Sequence, residues 1–396
     1  MLDGRYRFVS NELARCTSIE ETDNFWGTML EGMPADDVEN WDLRPLYEAC
    51  EYADEHAGRS QSLTEAIGTS SFPQAISGLI AKRVLQAYED AATEFPYIGD
   101  QLVQVEKTKL KEAKELRYSD HPLLKLTHER EASQPFEMGE EYFEYKTAHL
   151  TREIAVTEEM VMFDQTNKVW NHCKNLGEAG RLTREYLILD TFIDVESTHI
   201  LSELGVNYRG YRPSGTATDI WSTSAPSGRD NSGNSLTNAL EDWNDLQNAD
   251  DRLAQFYDNS KEGINDQSNP GKIMGAPLSS ILVLPGALRY AAFQIMGTPQ
   301  GLFDAEGTIN PAGKGGPLHK PYIWSPILDN NSASTWYYGQ ARQAMKLKEV
   351  YPFRMLTKNK DQSLEMMRHS LYGWVKGESY MGCAWYTNKK MVRCTT

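Results

Sequence analysis

Cysteine is scarce and poorly placed for cross-linking. There are five in 396 residues, Cys16, Cys50, Cys173, Cys383 and Cys394, an odd number with no Cys-x-x-Cys pair. That spacing excludes a disulfide framework and reads as reduced thiols in a protein made in a cytoplasm. Long hydrophobic runs are missing as well. The longest, near ILVLPGAL, falls far short of the ~20 residues of a membrane helix, so no membrane partner is expected. The opening MLDGRYRFVSNEL sets acids and arginines where a secretion signal needs an apolar stretch. Glycine (29) and proline (17) are too few for a collagen-like or low-complexity chain. Positive charge is the minority: 40 Lys and Arg against 56 Asp and Glu give a net −16. Such a balance opposes a free-standing nucleic-acid binder, whose affinity comes from neutralising phosphates.

Apolar material, by contrast, is ample. Forty per cent of residues are hydrophobic, with 9 Trp, 20 Tyr and 12 Phe, enough for more than one core. The charge is also segregated. Residues 1–60 hold 5 basic and 14 acidic side chains, 61–198 hold 15 and 24, and 199–335 hold 9 and 14, whereas 336–396 hold 11 and 4. An acidic beginning and a basic end are either solvated faces or complementary surfaces that orient copies of the chain against one another.

The chain divides by pattern. Residues 1–69 offer short helical stretches, ADDVENW and RPLYEACEYADEH, with Phe25, Trp26, Trp41, Leu46 and Tyr47 thinly spread. This reads as an extended arm whose aromatics bury against a neighbouring copy. In 70–99, Ile76, Leu79, Ile80, Ala87, Tyr88 and Ala91 recur at helical spacing after Ser71 and Pro73, and Pro96 closes the helix. Residues 100–155 carry a dense mix of both charges, then alternation at Phe143, Tyr145 and Thr147 and at Ile154 and Val156. They predict a two-stranded excursion that is marginal alone and lies on a neighbour. From about Lys168 to Ile193, within 156–198, the pattern predicts a helical rod near 40 Å long, with Gly177 and Gly180 marking a bend or a close crossing. Residues 199–335 predict long loops, a helix running from Leu236 to Phe256, and a buried strand Ile281–Leu284 followed by a helix. Residues 336–396 predict strands flanking a short helix. Together these give an α+β fold.

No pattern assembles a catalytic, cofactor or metal site. Asp258, Ser260, Glu262 and Gly263 match the start of a calcium loop, but Asn269 replaces its closing glutamate, so a turn is expected. Gly313, Lys314, Gly315 and Gly316 lack the spacing of a phosphate-cradling loop. His121 and His128 stand seven apart without companions, and His172 and His369 are isolated. Glu140 with Glu141, and Glu158 with Glu159, are sequence neighbours, which on a strand point to opposite faces. Lys389, Lys390 and Arg393 beside Trp385 and Tyr386 could suggest single-strand binding by stacking and charge, but three charges are few, and an exposed, solubilising terminus is expected.

The order of segments resembles the major capsid proteins of tailed phages, the group with the Hong Kong 97-like fold. SSFPQAISGLIAKRVLQAYEDAA resembles that family's first helix, and MGEEYFEYKTAHLTREIAVTEEMV resembles its E-loop return. NHCKNLGEAGRLTREYLILDTFI looks like the spine helix, ILVLPGALRYAAFQIM the A-domain strand and helix, and SPILDNNSASTWYYG with SLYGWVKGESYMGCAWYTN the closing P-domain strands. Two features depart from the family's pattern: the glycines at 177 and 180, and His149 where many relatives have glycine.

The resemblance implies an N-terminal arm at 1–69, an E-loop at 100–155, an A-domain at 199–335 and a P-domain from the remaining segments. It further implies a non-enzymatic subunit that self-assembles through pentamers and hexamers into an icosahedral shell, with packaged double-stranded DNA near its inner surface without sequence specificity. Portal, scaffolding and decoration proteins are further partners of such a subunit, and its location is the virion after assembly in a host cytoplasm. A polysaccharide-acting hydrolase and the shell of a bacterial cargo compartment are the alternatives.

Overall fold

The computed structural model describes residues 4–16, 19–56, 71–94, 96–118, 140–163, 166–194, 220–221, 233–256, 277–297, 311–359 and 371–396. Along the chain run α1 (Gly4–Leu13), α2 (Ile19–Gly32), α3 (Leu43–His56), α4 (Ser71–Glu94) and α5 (Gly99–Leu102). Strands β1 (Gln104–Lys107), β2 (Glu112–Tyr118), β3 (Glu140–Lys146) and β4 (Ala148–Thr157) follow. Then come α6 (Glu158–Met162), α7 (Thr166–Ile193), β5 (Ser235–Thr237), α8 (Trp243–Ala254), β6 (Ile281–Pro285) and α9 (Arg289–Gly297). The chain closes with β7 (Tyr322–Ser325), β8 (Trp336–Gly339), α10 (Ala341–Ala344), β9 (Met345–Asn359), β10 (Leu371–Trp385) and β11 (Met391–Thr395). The fold is α+β, in two units.

One unit comprises residues 1–95, 149–183 and 351–380. Its core joins Tyr6, Val9 and Leu13 of α1, Trp26 of α2, and Leu43, Leu46, Ala49, Cys50 and Ala53 of α3. Phe72, Ile76, Leu79, Ile80 and Val84 of α4 and Val169, Trp170 and Cys173 of α7 belong to it as well. Burial pushes the Cys173 thiol up to about 12, so it stays protonated and inert. The expected arm is therefore corrected: its described residues form helices packed within their own chain. The aromatics counted from the sequence were sparse, but Tyr6, Val9, Leu13, Val38, Leu43, Ala49 and Ala53 join them on one side. Tyr6 meets Trp41 edge-on with centroids 5.3 Å apart, and its hydroxyl accepts the Asp42 N–H at 2.9 Å. Tyr47 meets Phe72 in the same way, also at 5.3 Å. Lys82 of α4 donates to the carbonyls of Leu30 and Met33, capping the end of α2.

Helix α7 is unbroken over 28 residues, about 42 Å at the standard rise. Its glycines mark a close crossing. A Cβ at 177 would strike the Val84 carbonyl, the Ala87 Cβ at 2.7 Å and the Tyr88 nitrogen at 2.8 Å, so α4 and α7 touch backbone to backbone there. A Cβ at 180 would meet the Phe353 ring at 2.7 Å. That ring stacks on Tyr88, centroids 4.8 Å apart.

The other unit comprises residues 96–148, 184–350 and 381–396. Its five-stranded sheet has the order β5-β11-β8-β6-β7. Strand β6 runs parallel to β7 and antiparallel to β8, while β11 runs antiparallel to β8 and parallel to β5. Leu246, Ala249 and Leu253 of α8 and Ala292 of α9 pack on Leu282, Leu284, Trp336, Tyr338 and Val392. The sequence placed the start of α8 too early. Residues 235–237 form a strand, and the helix begins after a capping box in which Asp242 accepts from the N–H groups of Asn244 and Asp245 while Asp245 accepts from that of Asp242.

The terminal strands also correct the reading. Residues 391–395 do not form an exposed tail: β11 lies between β5 and β8, with Met391, Val392 and Cys394 buried. Strands β8 and β11 share a sheet with β6, so part of 336–396 completes the 199–335 unit. Strands β9 and β10 instead join β1 and β4, in the order β1-β9-β10-β4. The end of α7 is held by two indoles: Trp385 donates to the Thr191 carbonyl at 2.7 Å and Trp221 to that of Phe192 at 3.0 Å. These satisfy carbonyls that a helix end leaves without intrahelical donors.

Candidate assembly surface

The described residues of the excursion form a two-stranded ladder. Glu112 to Tyr118 pair antiparallel with Lys146 to Glu140, and among the described residues neither strand pairs with a third. A two-stranded ribbon without a third layer is marginal in water, so most of its order comes from its root and from whatever covers it. The root is electrostatic. Lys348 of β9, with a side chain 4% exposed, donates to Glu106 at 2.6 Å and to Glu115 at 2.5 Å. Burial alone would lower the Lys348 ammonium, but the two carboxylates outweigh it and hold its pKa above the usual value. Burial likewise works against ionisation of Glu106, and Lys346 and Lys348 overcome it, holding that carboxyl below its ordinary value. Beside them Thr108 and Tyr145 share a hydroxyl hydrogen bond at 2.8 Å, and the Thr147 N–H donates to the Lys111 carbonyl at 2.8 Å.

A second charged cluster lies on β4, β9 and β10. Glu378, almost fully buried, accepts from Nε and Nη2 of Arg354 at 3.0 and 2.7 Å. Nε2 of His149 is 3.1 Å away, and the Lys376 ammonium 3.4 Å. Tyr351 lies under the Arg354 guanidinium, 3.8 Å from ring centre to its carbon, and His149 tilts against Tyr380 at 5.6 Å. Desolvation raises the Glu378 pKa, but Arg354, His149 and Lys376 outweigh it and bring it down to about 2. A carboxyl depressed from 4.5 to about 2 contributes stability that is complete above pH 4.5 and is lost as pH falls through 2. Glu378→Gln is therefore expected to unfold earlier than the parent at pH 7 and to close that gap between pH 4.5 and 2. Thermal unfolding across that series checks it; a gap that persists unchanged at pH 2 counts against the cluster.

The buried carboxylates of Glu185 and Glu349 act as struts. Glu185 accepts the N–H groups of Ile98 at 2.8 Å and Gly99 at 2.9 Å, and Arg184 bridges Asp100 and Glu349. Of the residues weighed from sequence, Gly313, Gly315 and Gly316 lie in bends and turns around a bridge at Lys314, where the Gly316 N–H donates to the Gly313 carbonyl at 2.8 Å. Asp258 to Asn269, His121, His128 and His369 lie outside the described residues. His172 is exposed on α7, Glu140 and Glu141 open β3, and Glu158 and Glu159 open α6. Among the described residues no group of three His, Cys, Asp or Glu side chains could hold a metal ion, and no helix is long and apolar enough to cross a membrane. Lys390 donates to Gln343 at 2.6 Å and Arg393 to Ser235 at 3.1 Å, both as parts of the folded sheet region. The sequence missed the Glu378 cluster entirely. Its only signal was His149, out of pattern with the family it resembles.

No protein-family profile matches the chain, and no curated protein does. Solved structures do. The capsid of a native GTA particle is 12% identical, with a TM-score of 0.44, over 76% of this chain and 89% of that one. A virus-like particle from Pyrococcus furiosus is 10% identical at a TM-score of 0.40, over 80% and 97%. The capsid of Myoviridae phage XM1 is 10% identical at 0.42, over 76% and 91%.

Proposed function

We propose that this chain is a major capsid protein: a subunit that closes, through pentamers and hexamers, into an icosahedral shell around double-stranded DNA. The observation that carries the reading is the two-stranded ladder of β2 and β3. Among the described residues it pairs with no third strand, and it is rooted by the ion pairs of the buried Lys348. A container needs several contacts per copy, each weak enough to correct errors, and an excursion that gains its order on an adjacent copy supplies one. In this reading 100–155 is the reaching loop, α7 the spine, and 199–335 with β8 and β11 the part that surrounds the capsomer axis. The net charge of −16 suits a wall that confines DNA without gripping it. No residue is assigned to catalysis, a cofactor or a metal.

Purified protein is expected as large shells or capsomers in electron micrographs and sedimentation. Nucleic acid in particles isolated from cells separates a capsid from a compartment filled with protein. Monomers alone, with or without co-expressed scaffold, would overturn the proposal.

A further inference from the structure

The Glu378 cluster has more positive charge than its carboxylate can match. Arg354 and Lys376 bring a guanidinium and an ammonium, His149 adds a third nitrogen donor, and all of them converge on one acid. Half of the Arg354 side chain is exposed, and the Tyr351 ring beneath it and the buried carboxylate behind it fix its orientation. A guanidinium held this way loses little freedom when it meets a second anion, which is why Arg and Tyr dominate the energetics of protein contacts.

A surface of opposite sign lies on α2. Its sequence, IEETDNFWGTMLEG, has four acids and no base. Trp26 is buried while Glu20, Asp23 and Glu31 are exposed, so the acids line the outward side. Among the described residues neither Glu20 nor Asp23 forms an ion pair within the chain.

We infer that the acidic side of α2 in one copy docks on the Arg354, Lys376 and His149 cluster of another. This rests on the shell reading and names one of its contacts. The two surfaces differ, so the contact is heterologous: every copy offers both halves, and a rotation that closes makes a ring. The segregation of charge along the chain, acidic in 1–60 and basic in 336–396, then has a structural use.

Charge reversal tests it, read by sedimentation over a range of full-length protein concentrations. Glu20→Lys with Asp23→Lys changes only exposed side chains and is expected to weaken association about tenfold at low salt, with the difference vanishing near 1 M, where screening reaches within ~3 Å. Arg354→Glu is expected to weaken it as much, and the three changes together to restore it. Unfolding of each variant is followed alongside, because Arg354 also holds Glu378; if Arg354→Glu does not fold, the α2 pair alone decides. Association of the α2 variant equal to that of the parent overturns the inference while leaving the shell reading intact. Weakening by Arg354→Glu in a folded protein that α2 reversal fails to rescue also overturns it. A parent chain that never associates overturns the shell reading instead.

Discussion

Gly177→Ala is expected to destabilise the chain by about 2 kcal/mol, even though alanine is the better helix former by ~1 kcal/mol. The added methyl would fall on the Val84 carbonyl and within 2.8 Å of the Tyr88 nitrogen, and backbone cannot rotate aside. Helices α4 and α7 must then separate, and separation loosens Ile80 and Val84 against Val169 and Cys173 throughout the core they share. Overpacking of a tight core costs about 1–3 kcal/mol, and a backbone clash belongs at the top of that range. Gly180→Ala is the control. Its methyl would meet the Phe353 ring, a side chain with some freedom although Tyr88 and Gly377 confine it, so the loss there should be roughly half as large. Equilibrium unfolding of the two variants measures both. Equal and negligible effects would show that the helices are free to part and that the glycines have no packing role.

That crossing was half legible in the sequence. Two glycines three apart inside a strong helical pattern announced either a bend or a near neighbour, and only the position of Val84 and Tyr88 decides between them. Elements with long regular patterns could be read in advance: α4, α7 and β6 lie close to where periodicity put them, because one buried stripe or one short apolar run is a local property. Residues 235–242 were misread because Leu236 and Leu240 continue the helical spacing of α8, while the Asp242 and Asp245 capping box that stops it was overlooked. Strand partnership was hidden for another reason. Strand β11 pairs with β5, 158 residues earlier in register, and nothing in MVRCT records which sheet will take it. The Glu378 cluster gathers Glu378, Arg354 and Lys376 with His149, more than 200 residues away, so no local spacing could reveal it.

Removing residues 1–56 is expected to abolish the cooperative unfolding transition of the unit that contains them. The sequence suggested an extended arm whose aromatics bury against a neighbouring copy; the structure makes its described residues part of a core of their own chain. Phe72, Ile76, Leu79, Ile80 and Val84 of α4 are almost wholly buried in a cluster that includes Trp26, Trp41, Leu43 and Leu46. Restoring five such side chains to water forfeits about 1.5–3 kcal/mol each, or roughly 10 kcal/mol together, which is the whole stability of many domains. Polar ties are lost with them. The Leu43 N–H donates to the Thr166 hydroxyl at 3.0 Å, the Trp170 indole to the Trp41 carbonyl at 3.2 Å, and Lys82 to two carbonyls at the end of α2. Each leaves a partner on α4 or α7 without its bond. Circular dichroism and thermal unfolding of the shortened chain measure the outcome, and a sharp transition at the parent temperature would mean that α1 to α3 are dispensable after all. The distinction governs how any assembly defect is interpreted. A deletion that unfolds α4 prevents particles whether or not the segment touches a neighbour, whereas charge reversal at Glu20 and Asp23 changes the outer side of α2 and leaves Trp26 in its core.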